Sequence, residues 1–73
     1  MVSDEKKVIY YVVSCVSEFA YRYGLKQKHA FQFLDQYKAI EFLKENYEIE
    51  HTLSFDDTIE DLFRICRNNG GVL

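Results

Sequence analysis

Residues 47–63, YEIEHTLSFDDTIEDLF, set His51 among carboxylates at Glu48, Glu50, Asp56, Asp57 and Glu60. An imidazole beside several acids is the raw material of general acid–base work. Such work also needs two groups whose environments drive their pKa values apart. The spacing argues for a simpler use. Ser54 followed three residues later by Asp57 has the form of a capping box, in which Ser54 accepts from a first-turn amide and Asp57 reaches back. Asp56, Asp57, Glu60 and Asp61 then fall in the first two turns of a helix. There each acid gains about 0.3–1 kcal/mol from the helix N-terminal partial charge. The acids are explained by a helix start, and no catalytic dyad is indicated.

His51, between helices in EIEHTLS, is read as a buried or half-buried imidazole that bonds a backbone group at the start of the last helix. Cys15, His29, His51 and Cys66 are four candidate zinc ligands, but they are scattered singly without a C-x-x-C spacing, so no metal site and no cofactor are expected. A Cys–His nucleophile would need an oxyanion-type turn, which the sequence lacks. Cys15 and Cys66 lie on apolar helix faces, where a thiol acts as a small hydrophobe. No catalytic residue is assigned.

Helical spacing organises the chain that must position these groups. Val8, Val12, Cys15 or Val16, Phe19 and Tyr23 recur at one helix face, which predicts a first helix over Ser3–Tyr23. VIYYVV would also suit a strand, but the helical period runs on to Gly24, a residue suited to the left-handed position that ends a helix. Ser3 or Asp4 supplies its N-cap. Amphipathic patterns predict a second helix over Lys26–Asp35 and a third over Lys38–Tyr47, with a break near Gln36 and Tyr37. Phe55, Ile59, Leu62, Phe63 and Cys66 predict a fourth, ending at Asn68 or Asn69 before Gly70 and Gly71.

The expected fold is all-α, one small bundle of about four helices over residues 1–73, with the first and last helices as its main pair. The expected core is Val12, Cys15, Val16, Phe19, Phe31, Leu34, Ile40, Leu43, Ile59, Leu62, Phe63 and Cys66.

A chain of 73 residues buries only about 60% of its unfolded surface, yet 48% hydrophobic content with six Tyr and six Phe supplies generous core material. The absence of proline and the aromatic wealth argue against disorder. The longest apolar run, Val8–Val13, is six residues, where a spanning helix needs roughly 20. The N-terminus begins polar, so no membrane contact is expected and the cytoplasm is the expected compartment, with both thiols reduced.

Nine Lys plus Arg against twelve Asp plus Glu give a formal charge of −3, the wrong sign for a protein whose business is phosphate backbone. GLKQKHAFQFLDQYKAIEFL can be drawn as a helix-turn-helix, but its second helix offers Glu41, Glu45 and apolar residues where base edges call for Arg, Lys, Asn or Gln. Nucleic acid is therefore not the expected partner; a protein is, with a second copy of the chain as another candidate. Arg22, Lys26, Lys28 and His29 form a basic corner opposite the acids that gather after Glu41. Six tyrosines exceed what so small a core can satisfy, so some must reach the surface, where Tyr serves recognition.

FAYRYGL, then AFQFLDQYKAIEFLKENYEIEHTLSFDDTIEDL, then NNGG, in that order, resembles a family of short uncharacterised bacterial proteins classed as a domain of unknown function. The matching positions are Tyr47, His51, Thr52, Asp57, Ile59, Glu60, Asp61 and Leu62, and the resemblance spans Val8 to Gly71. The family tends to have an apolar residue before the histidine, where Glu50 stands here, which leaves open whether that position is buried. The resemblance implies a small partner encoded beside a second protein, in the manner of toxin–antitoxin pairs, and thus a binding protein and not an enzyme. The expected partner-binding residues are Tyr47, His51, Thr52, Arg22 and Lys26. The alternatives are a DNA-binding regulator of helix-turn-helix type and a small enzyme centred on His51.

Overall fold

α1 runs Asp4–Tyr23, α2 Gln27–Gln36, α3 Ala39–Glu45, α4 Tyr47–Glu50 and α5 Phe55–Asn68 in the computed structural model, which describes residues 4–73. The fold is all-α, with five helices among the described residues and four of them longer than one turn. The proposed cap Ser3 lies outside the described residues; Asp4 is the first residue of α1 and, with Glu5, places two acids in its first turn.

Each helix ends for a local reason. After α1, Gly24 takes φ 64°, the Leu25 amide donates to the Ala20 carbonyl at 2.8 Å and the Gly24 amide to Tyr21. This is a Schellman end, and Leu25 follows it into contact with the core. α5 closes the same way: Gly70 takes φ 93°, its amide donates to Arg67, and the Gly71 amide donates to Cys66 at 2.8 Å. Between α2 and α3 no glycine is available, and Lys38 itself takes φ 73°. The left-handed conformation costs a residue with a Cβ about 1–2 kcal/mol. The predicted break near Gln36 and Tyr37 is therefore real and falls at Tyr37–Lys38.

The predicted third helix, Lys38–Tyr47, ends as α3 at Glu45, and a one-turn helix that the spacing did not predict follows it. At Asn46 the backbone leaves helical geometry, and its side-chain amide donates back to the Phe42 carbonyl at 3.0 Å, closing α3. The chain then makes one more turn as α4. Asn is a poor interior residue for a helix because its short amide competes for backbone groups in this way. At the start of α5, Ser54 Oγ accepts from the Asp57 amide at 3.2 Å. The reciprocal half of the capping box is absent among the described residues: the aspartate, one methylene shorter than glutamate, makes no bond back to Ser54.

α1 is the central element and packs against α2, α3 and α5. Its most extensive partner is α2, not the last helix as the spacing suggested. The three-residue turn after Tyr23 folds α2 straight back along it, and small Ala20 and Ala30, both buried, let the two backbones come close. The core comprises Val12, Cys15, Val16, Phe19, Ala20, Ala30, Leu34, Ala39, Ile40, Leu43, Ile59, Leu62 and Cys66. Two expected members are corrected. Phe31 is 44% exposed, because Ala30 and Leu34 form the inner face of α2 and Phe31 is turned about 100° away. Phe63 is only half-buried and stacks on Tyr23, with ring centroids 5.7 Å apart.

Candidate functional site: the α4 corner

Ile40, Leu43, Tyr47 and Glu50 follow one another at i, i+3, i+7 and i+10, so the inner face of α3 continues through α4 and delivers Glu50 inward. Glu50 is 4% exposed, and its Oε1 has no hydrogen-bond partner. The position whose burial the sequence left open is buried, and it holds a glutamate. Burial, reinforced by the neighbouring Asp61 carboxylate and partly offset by Arg64, raises the Glu50 carboxyl to about 7. Asp61 itself is engaged by Arg64 Nη2 at 2.8 Å.

A second inward group anchors the same turn. Thr58 is fully buried on α5, and its hydroxyl donates to the Glu50 carbonyl at 3.3 Å. That leaves its oxygen to accept from the Tyr11 hydroxyl on α1, 3.2 Å away. Burial pushes the Tyr11 phenol up and the Cys15 thiol up to about 11. The Tyr11 ring meets Tyr47 edge-on at 5.5 Å and 76°. Three helices therefore converge on one turn through a chain of hydroxyls and a carbonyl.

The outward side of the turn carries His51 and Thr52. His51 stacks on Tyr47, with centroids 4.5 Å apart and planes 10° apart, and its Nδ1 lies 2.6 Å from the Tyr47 carbonyl. A carbonyl only accepts, so Nδ1 bears the proton, and in the neutral ring Nε2 is an acceptor facing outward. The ring does bond a backbone group, but one within α4 and not at the start of α5, and the side chain is exposed, not buried or half-buried. Thr52 Oγ1 donates to the Ile49 carbonyl at 2.6 Å and ties off the turn. Ile49, 65% exposed, and Leu53 stand in solvent beside them.

Tyr47, His51 and Thr52 are thus brought together as expected, whereas Arg22 and Lys26 are not part of this corner. Arg22 pairs with Asp56 at the start of α5 and lies 3.9 Å from Glu18 on its own helix. The Lys26 carbonyl accepts from the Ala30 amide as the cap of α2. Glu50, Tyr11 and Thr58 were missed by sequence reasoning. The signal was there for two of them: Glu50 continues the α3 stripe, and Thr58 precedes Leu62 by one turn.

No group of three or more acids, histidines or cysteines close enough to hold a metal occurs among the described residues. Cys15 and Cys66 are buried, and burial pushes the Cys66 thiol, too, up to about 11, so neither is a ready nucleophile. No helix among the described residues is long and apolar enough to cross a membrane.

A family model described as a protein of unknown function, DUF3791, matches residues 10–69, which takes in the whole α4 corner. No curated protein and no solved structure matches the chain.

Proposed function

We propose that this chain, which belongs to the DUF3791 family, works as a cytoplasmic protein-interaction module and not as an enzyme, with the α4 corner as its recognition point. The observation that supports this reading is the two-sidedness of one turn. Glu50, Thr58 and Tyr11 pin it from within, while Ile49, His51 and Leu53 stand outside. A rigid turn that exposes apolar groups loses little conformational entropy on docking, which is the requirement for a recognition knob. His51, held by Tyr47 in stacking and by a backbone bond, adds one fixed acceptor at Nε2.

Such a module suits the neutralising member of a two-protein system, the role that the resemblance to toxin–antitoxin partners suggests. A helix-turn-helix reading has less to support it, since α3, the helix that would enter a groove, exposes Glu41 and Glu45 along with Lys44.

The test is affinity capture with the full chain at low and moderate salt, with protein and nucleic acid both quantified. A stoichiometric protein that survives moderate salt and is lost with Ile49→Asp supports the proposal. Nucleic acid released as salt rises, without a protein, would replace it with the regulator reading. Retention of the same protein by Ile49→Asp would move the contact away from this corner.

A further inference from the structure

Glu50 ties α4 to α5 in two ways. Its carbonyl accepts the Thr58 hydroxyl at 3.3 Å and, within the turn, the Leu53 amide at 3.0 Å. Its side chain, when protonated, hydrogen-bonds the Asp61 carboxylate, which Arg64 Nη2 also holds at 2.8 Å. The residue that carries the main-chain tie therefore carries an ionisable one as well.

An ionised Glu50 has little to support it in that place. The residue is 4% exposed, and its Oε1 is buried without a hydrogen-bond partner. The charged and titratable groups that face it are Asp61 and Arg64 on α5 and Tyr11 and Cys15 on α1; burial keeps the last two protonated at neutral pH. Once the Glu50 proton leaves, two adjacent carboxylates share one guanidinium that itself stands mostly in solvent. The neighbouring like charge and the missing water both oppose the ionised form, so the side chain is driven outward.

The backbone allows that movement. α4 is one turn, Tyr47–Glu50, with a non-helical joint at Asn46, φ −114° and ψ 22°, and a second over residues 52–54. Withdrawal of Glu50 leaves Thr58 bonded to Tyr11 at 3.2 Å, so the buried hydroxyl keeps a partner. We propose that the Glu50 proton is the bolt of a latch: with it α4 is fastened to α5, and without it the turn swings out on its two joints and Ile49, His51 and Leu53 lose their fixed placement. The consequence for docking rests on the α4 corner being the recognition point; the latch itself does not.

Opening the latch returns the Glu50 carboxyl from about 7 to its ordinary 4.5. Between pH 5 and pH 8 that return favours the open turn by about 70-fold. Native-state hydrogen exchange of the full chain, read by NMR and corrected for the intrinsic rate, measures it at the Glu50, His51 and Leu53 amides, which donate to Asn46, Tyr47 and Glu50. These amides should exchange through an opening that low urea does not promote, unlike those of Val16 and Leu62 in the core. They should lose about 70-fold of protection between pH 5 and pH 8. Glu50→Gln should abolish that loss, and Asp61→Asn, which removes the like charge, should reduce it several-fold. Corner amides equally protected at both pH values would overturn the inference, and so would corner amides that open only together with the core. The exchange needs no partner, so the latch and the recognition reading can fail separately.

Discussion

Glu50→Gln should make the protein more stable, and only at the basic end of the pH range. The Glu50 carboxyl is held near 7 in the folded chain against an ordinary 4.5. The native state thus binds this proton more tightly than the unfolded state. Its contribution is full below about pH 4.5, declines as pH rises through 7, and is lost above that. Integrated over that interval, the loss is about 3 kcal/mol, a large share of the roughly 4–11 kcal/mol expected for 73 residues. The groups that face Glu50 are Asp61 and Arg64 on α5 and Tyr11 and Cys15 on α1. Gln keeps the shape of the protonated acid and cannot ionise. Urea unfolding followed by far-UV circular dichroism should find the two proteins within about 1 kcal/mol of each other near pH 5. The variant should lead by about 2–3 kcal/mol near pH 8. A difference that stays constant between those pH values would refute the argument, because it would mean that Glu50 ionises in the folded state as freely as in water.

Two further outcomes follow from backbone and burial. Lys38→Gly should raise stability by up to about 1 kcal/mol, because glycine takes φ 73° without the Cβ penalty. A lower thermal midpoint for this variant would show that the lysine stem contributes more than its backbone costs. Cys15 and Cys66 should resist a thiol reagent in the native protein at neutral pH and react together on unfolding, since both are buried and held up to about 11. Rapid labelling of either one would place it at an accessible site.

What the sequence determined by itself was everything carried by local spacing: the all-α class, the ends of α1 and α5 at Gly24 and Gly70, the Ser54 cap and most of the apolar core. Helical periodicity and glycine conformation are properties of neighbouring residues, so they can be read without a fold. The same locality explains the errors. Phe31 is as apolar as Phe19, and only the close approach of α2 to α1 through Ala30 decides which of them is covered. At the break after α3 both the backbone and the side-chain amide of Asn46 donate to the Phe42 carbonyl, a local arrangement that apolar spacing does not reveal. The candidate site shows the division most sharply. Tyr47, His51 and Thr52 are adjacent in sequence and were found together, whereas the hydroxyl chain that pins them joins Tyr11 to Thr58, 47 residues away. The stripe of α3 pointed Glu50 inward, but only tertiary structure decided what surrounds its carboxyl, for that depends on what packs over it, and here α5 brings up Thr58 and a second acid.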